Sequence, residues 1–249
     1  MQLVIVLILL AVLVGALAQR ITGMGFALVS GPFLVLLLDP VPGVVLVNVC
    51  GLVSSIIVLA RTYREVEWKF SGCLALGGMI GAFPGALLAV ALPSHALEIL
   101  IGALVVAALA ASLLLGRVLT RPLTRRKRGA VITGLASGAM NSAAGIGGPA
   151  LSAFSVLTRW EQRSFAATIQ PVFVVMAAFS ILSKLVLDHG AWPSLGLGTW
   201  ALILAALVIG QLAGELLSRV TPVTLARNGM LVLAFLGGIL TILRGLGVL

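Results

Sequence analysis

The chain alternates long apolar runs with short polar stretches. The segments Met1–Ala18, Leu97–Leu115 and Met230–Leu243 are almost free of charged residues. A helix needs about 20 predominantly apolar residues to cross the hydrocarbon core of a bilayer. The pattern therefore predicts an all-α polytopic membrane protein, most of whose length lies in lipid.

Two of the apolar pieces are interrupted part-way. Met1–Leu38 is too long for one straight crossing, and polar residues and glycines interrupt it at Gln19–Gly25. Gly129–Leu157 repeats this arrangement, with its interruption at Asn141–Gly148. We predict that each piece is a broken helical hairpin, made of two helices or half-helices, that enters the membrane and returns. The other apolar pieces are predicted to be simple spans over residues 43–61, 69–92, 96–116, 164–187, 196–218 and 226–247.

The interrupted pieces belong to two similar halves of the chain. Gly23-Met24-Gly25 matches Gly145-Ile146-Gly147, and at the same spacing Asn48 falls on Gln170. Duplicated halves with broken helices are typical of secondary transporters. We divide the chain into a first membrane repeat, a basic cytoplasmic linker and a second membrane repeat, over residues 1–116, 117–128 and 129–249. Two further glycine pairs match, Gly81 and Gly85 with Gly210 and Gly214.

The composition supports a membrane protein and changes the interpretation of its charge. Hydrophobic residues make up 61% of the chain and charged residues 9%, with a formal net charge of +9. Soluble domains are about 45–50% apolar and about 25% charged. The cations stand between the apolar runs, so we interpret them as signals that hold loops in the cytoplasm. We expect no nucleic-acid partner.

Loop charge also favours the hairpins. If residues 129–157 crossed the membrane once, Arg159 and Arg163 would lie outside. As a hairpin, this piece leaves every basic loop inside. Three full crossings then remain in each half, and an odd number inverts the second half relative to the first. We predict two inverted-topology repeats in the cell membrane with both termini outside, although Arg244 argues against this orientation. The other basic stretches are Arg61–Lys69, the linker 117–128, and the loop flanked by Arg219 and Arg227.

The hairpin tips are candidate anion sites. If helices begin just after Gly25 and Gly147, their N-terminal N–H groups point at the tips, and helix N-termini favour anions. Glycine lets a ligand approach the backbone closely. We therefore select Gly23, Gly25, Gly145, Gly147 and Gly148 as substrate-binding positions.

Arg20 is the most informative side chain beside a tip. A guanidinium at membrane depth is costly and is usually functional, and it could hold an oxyanion through two parallel hydrogen bonds. The alternative is that Met1–Ala18 crosses completely and Arg20 is an anchor at the interface. Ser142 stands at the matching position of the second half and is a further candidate.

Four amides complete the predicted site. Gln19 pairs with Asn141 by repeat, and Asn48 pairs with Gln170. An amide can bond a ligand without carrying charge, but it can equally join one helix to another. Lys184 lies near a predicted helix end, which favours snorkelling or local pairing. We find no motif for catalysis, a nucleotide, a cofactor or a metal, and expect a protein that is not an enzyme.

These motifs resemble a known family. The Gly-x-Gly-Phe element at 23–26, the run Gly145-Ile146-Gly147-Gly148-Pro149-Ala150 and the duplicated hairpins are similar to the TauE/SafE family of sulfite exporters, from about residue 10 to residue 245. The resemblance implies transport of sulfite, sulfonates such as sulfoacetate, or related small organosulfur anions, with protons as a candidate coupling ion. We expect export by alternating access around a midplane site, and a homo-oligomer is an open alternative to a monomer. A passive anion channel and a non-transporting scaffold remain alternatives.

Overall fold

Ten α-helices and two short 3₁₀ turns make up the described part of the chain. The computed structural model describes residues 2–23, 25–118, 124, 126–218 and 223–248, with only the backbone for 112–118 and 223–227. Residues 119–123 and 125 of the predicted linker 117–128 lie outside the described residues, as do Met24, Arg219 and the side chain of Arg227. The helices are α1 Gln2–Thr22, α2 Phe26–Leu37, α3 Pro40–Thr62, α4 Trp68–Ala91, α5 Ser94–Val118, α6 Lys127–Ala144, α7 Gly148–Thr158, α8 Gln162–Leu187, α9 Leu197–Leu217 and α10 Val223–Gly245, with 3₁₀ turns at Tyr63–Glu65 and His189–Ala191.

The predicted multi-pass membrane fold is confirmed. Within the described residues, seven helices are long and apolar enough to cross a bilayer, namely α1, α3, α4, α5, α8, α9 and α10. The six simple spans predicted from the sequence correspond to the last six of these. Large apolar side chains such as Leu197 and Leu216 are exposed on the outer surface, where lipid can cover them.

The two interruptions form breaks between a long and a short helix, and both breaks are shorter than predicted. α1 continues through Gln19 and Arg20, and α6 continues through Asn141 and Ser142. Each helix ends where a glycine adopts positive φ, at Gly23 (φ 87°) and Gly145 (φ 76°). The N–H of each glycine donates to the carbonyl four residues earlier. Polar side chains do not stop these helices, because a left-handed glycine is what ends a helix in this way.

The second hairpin returns to the face from which it started. Just after α7, Trp160 Nε1 donates to Glu67 Oε1 at 2.7 Å, beside the start of α4. Arg163 Nε donates to Glu65 Oε2 at 2.9 Å. The segments 61–69 and 159–163 therefore lie on one face of the protein, which we call the basic face.

α4 and α6 run parallel in very close contact. A methyl group added at Gly81 or Gly85 of α4 would collide with the carbonyl oxygen of Leu135 or Ala139 of α6. Small residues allow helix backbones to approach closely in lipid, where no hydrophobic force drives helices together. Because α4 starts on the basic face, the parallel α6 starts there as well.

α1 and α9 repeat this contact between the other pair of helices. A methyl group at Gly210 of α9 would collide with the Leu13 carbonyl oxygen, and at Gly214 it would lie 3.0 Å from the Leu17 carbonyl oxygen of α1. These are the two glycines that match Gly81 and Gly85. A helix from each half thus packs through equivalent glycines on the hairpin of the other half.

Two further interfaces between the halves are antiparallel. α8 begins beside the end of α3, as the Arg163–Glu65 ion pair shows. α5 and α10 also run antiparallel, because Gly102 faces the Gly238 carbonyl oxygen while Gly245 faces the His95 carbonyl oxygen.

Gly81→Ala should destabilise the protein by about 1–3 kcal/mol, the usual cost of overpacking a tight contact. Gly72→Ala on the same helix is the matched control, because nothing lies within 4 Å of its added methyl group. The control should be neutral or gain up to about 1 kcal/mol, since alanine favours a helix more than glycine does. Thermal unfolding of the purified protein measures both, and equal melting temperatures would contradict the close packing.

Candidate functional site

A partly open cavity of about 40 Å³ lies at the second hairpin tip. α1, α2, α3 and α8 form its other walls. Phe26 and Phe173 contribute apolar surface, and Ser55 adds a hydroxyl group. Six of the residues selected from the sequence line this cavity, namely Gln19, Asn48, Asn141, Gly145, Gly147 and Gly148.

Two short helices begin at this cavity. Phe26, the first residue of α2, and Gly148, the first residue of α7, both line it. Neither N-cap residue, Gly25 or Gly147, provides a side-chain cap. The first N–H groups of a helix have no partner within the helix, and together with the helix dipole they attract negative charge. The cavity therefore faces two helix ends suited to an anion.

The Gln19 amide is poised for a ligand. The residue is only 4% exposed, no hydrogen bond to its side chain occurs within the described residues, and its amide atoms reach the open space of the cavity. Buried amides normally have hydrogen-bond partners. Because Gln19 lines the cavity, a bound molecule could supply the missing partner.

Asn48 and Asn141 join α3 to α6 at the cavity wall. Asn141 Nδ2 donates to Asn48 Oδ1 at 2.7 Å, and Asn48 Nδ2 donates to the Val44 carbonyl oxygen at 2.9 Å. Joining helices and contacting a ligand are thus compatible roles for these amides, because the two side chains connect α3 to α6 and also line the cavity.

Gln170 contacts the first hairpin tip without lining the cavity. Its Nε2 donates to the carbonyl oxygens of Gly23 at 3.2 Å and Ala166 at 2.8 Å. Its Oε1 is buried and without a partner in the described part of the chain. Gly23 and Gly25 likewise form the tip, while the next residue, Phe26, reaches the cavity.

Arg20 lies away from the cavity lining, close to the basic face. Its guanidinium forms an ion pair with Glu215 of α9, with Nε donating to Oε2 at 2.7 Å. Arg61 Nη1 also lies 3.5 Å from Glu215 Oε2. This arrangement fits the alternative in which Arg20 is an anchor at the membrane interface. The role of Arg20 in ligand binding stays a prediction.

Lys184 is the functional candidate that the sequence did not single out. Of the two roles expected for it, snorkelling is wrong, because the residue is 0% exposed, whereas local pairing agrees with the structure, because its Nζ donates to Ser180 Oγ at 2.8 Å. Its ammonium group bonds Ser142, which is itself fully buried behind the cavity wall. Sequence position alone placed the lysine near a helix end and could not show which way it points.

A family model described as "Sulfite exporter TauE/SafE" matches residues 7–241, nearly the whole chain. The chain belongs to the TauE/SafE family. This confirms the resemblance noted from the glycine motifs. TauE/SafE proteins are membrane transporters and not enzymes, and membership implies export of sulfite or organosulfur anions. Neither the curated proteins nor the solved structures searched gave a significant match.

Replacing either asparagine of the cavity wall should destabilise the protein. Asn48→Ala leaves the buried Asn141 amide without its acceptor, which costs about 1–3 kcal/mol. In a double-mutant cycle with Asn141→Ala, the coupling should be about 1 kcal/mol. The free energies of unfolding of the wild type, the two single variants and the double variant, measured in detergent, give this coupling. Additive effects would mean that the bond contributes nothing to stability.

Proposed function

We propose that this protein is a secondary transporter that exports small sulfur-containing oxyanions, such as sulfite or sulfoacetate, by alternating access around the cavity. The observation that carries the proposal is the meeting of two uncapped helix N-termini and the unpartnered Gln19 amide at one cavity. The proposed site residues are the six that line it, with the first-turn N–H groups of α2 and α7. Gly23, Gly25, Ser142 and Gln170 support the tips from behind.

The electrostatics of the cavity favour an anion. Each helix N-terminus is equivalent to roughly half a positive charge, and its N–H groups are hydrogen-bond donors. Oxyanions of sulfur carry several acceptor oxygens, which can take N–H groups from both helices and from the amides at the same time. Backbone donors fixed by two packed hairpins need little rearrangement to bind.

The packing of the two halves supports inverted repeats. Under an in-plane twofold axis, a helix and its counterpart run antiparallel, as α3 with α8 and α5 with α10 do. The same operation exchanges the α4–α6 contact with the α1–α9 contact. Inverted repeats around a midplane site suit alternating access, in which each half rearranges against the other.

Filling the cavity should abolish binding and transport. Gly51 lines the cavity, and nothing lies within 4 Å of a methyl group added there. Gly51→Leu should fold, because the side chain enters empty space, and should weaken sulfite binding at least about tenfold by excluding the anion. Titration of purified protein and sulfite efflux from proteoliposomes measure the two effects.

Gly72→Leu is the matched control, since Gly72 also has open space around it but is exposed on α4. It should bind and transport as the wild type does. Wild-type binding by Gly51→Leu would place the site elsewhere. Wild-type efflux that rises linearly with sulfite concentration without saturation would identify a channel.

The inverted topology is tested by labelling single cysteines in a variant that lacks Cys50 and Cys73. We expect a membrane-impermeant reagent outside the cell to label Ser94→Cys and Ser194→Cys but not Gln162→Cys. The reason is that Gln162 follows the second hairpin on the basic face, which positive loop charge holds in the cytoplasm. Labelling of position 162 from outside would contradict the proposed topology.

A further inference from the structure

Lys184 lies on α8 and is fully buried. Its Nζ donates to the Ser142 carbonyl oxygen at 2.5 Å and to Ser180 Oγ at 2.8 Å, and Ser142 Oγ lies 3.4 Å away. An ammonium group has three donors, so these three oxygens satisfy it. All three acceptors are neutral groups.

Lys184 combines complete burial with the absence of a carboxylate partner among the described residues. Arg20 is paired with Glu215, Arg163 with Glu65 and Arg244 with Glu98. No ion pair to Lys184 occurs among the described residues. Burying an uncompensated charge at membrane depth is expensive and is usually functional.

The lysine lies directly behind the cavity. Phe173 and Ala177 line the cavity, and Ser180 and Lys184 continue along the same face of α8, at the i, i+4, i+7 and i+11 positions of a helix. On the facing helix, Ser142 follows Asn141, which also lines the cavity. The cavity lining itself contains no charged side chain in the described part of the protein.

Lys184 also acts on the end of α6. The carbonyl groups at a helix C-terminus carry partial negative charge, which repels an anion. The α6 helix ends at Ala144, beside the cavity, and the Ser142 carbonyl is one of its last four. By bonding that carbonyl, the ammonium group offsets the unfavourable end of α6 and leaves the favourable end of α7 to act on the ligand.

We propose that Lys184 is the charge-compensating residue of the transported anion, held behind the cavity by Ser142 and Ser180. It is a positioning and electrostatic residue, since Ser142 separates it from the ligand. The inference rests on the proposed function, because it assigns the counter-charge for the anion of that same cavity. The expected ligand class is small tetrahedral or pyramidal sulfur oxyanions, with dianions favoured over monoanions.

The charge of the ligand distinguishes this role from a merely structural one. Sulfate is a dianion and methanesulfonate a monoanion with a similar sulfur head group. The Coulomb energy is proportional to the product of the charges. Removing one positive charge should therefore cost twice as much binding free energy for sulfate as for methanesulfonate, so the fold-loss in sulfate affinity should be about the square of the fold-loss in methanesulfonate affinity. A change in cavity shape should instead lower both affinities by a similar factor.

The test uses Lys184→Met and Ser180→Asp in the full-length protein. The first removes the charge and keeps the bulk, and the second neutralises Lys184 in place with an adjacent carboxylate. In calorimetric titration, each should weaken methanesulfonate binding about tenfold and sulfate binding about a hundredfold. Arg163→Gln is the matched control on the same helix. The Arg163 side chain is exposed on the basic face, and both affinities should stay within about twofold because exposed charges are screened.

Equal losses for the two anions, or no loss, in a folded variant would overturn the role of Lys184. If Lys184→Met does not yield folded protein, Ser180→Asp decides alone, because it retains the lysine and its packing. Failure of the wild type to bind either anion would instead count against the proposed function. The two failures are therefore distinguishable in one set of titrations.

Discussion

A broken helix in lipid must find partners for the backbone groups that the break exposes, and this constraint shapes the protein. Lipid offers no hydrogen bonds there, so protein, ligand or water in a cavity must supply them. Two of the last four carbonyls of α6 have partners within the protein, Asn141 in the Gly145 N–H and Ser142 in Lys184. The starts of α2 and α7 have no side-chain cap and face a cavity instead. The protein thus supplies partners at the carbonyl end of the second break, while the N–H ends lie at the cavity that we propose as the ligand site.

Glycine makes this arrangement possible in two different ways. At Gly23 and Gly145 it allows the positive φ that ends a helix sharply. At Gly81 and Gly85, and again on α9, it allows another helix backbone to approach closely. The second use supports the first, because the tightly packed α4 and α9 hold the long arms of the hairpins. The tips can then present their N–H groups in a fixed position, which lowers the entropy cost of binding an anion.

The charges of the protein are divided between two tasks. Arg20, Arg163 and Arg244 have carboxylate partners and join helices near their ends. Arg244 in addition donates to the Leu36 carbonyl oxygen near the end of α2. Among the described residues, all hydrogen-bond partners of Lys184 are neutral. The lysine lies next to a cavity whose lining has no charged side chain in the described part of the protein. In the proposed anion site, helix dipoles with one cation behind them can bind an anion and still release it, which a transporter needs.

The amino-acid sequence determined the membrane class, the helix spans, the two breaks and the family, because these follow from local apolar runs and from glycines at matching spacings. It also selected most of the polar groups of the cavity, since Gln19, Asn48 and Asn141 are amides inside apolar helices. Only the tertiary structure decided which of the selected side chains meet. Arg20 forms an ion pair with Glu215 of the other half, and Gln170 donates to the Gly23 carbonyl oxygen at the first tip. Lys184 points into the protein and donates to the Ser142 carbonyl oxygen. The physical reason is that helical periodicity is a local property, whereas the partner of a buried polar group depends on packing between segments far apart in the chain.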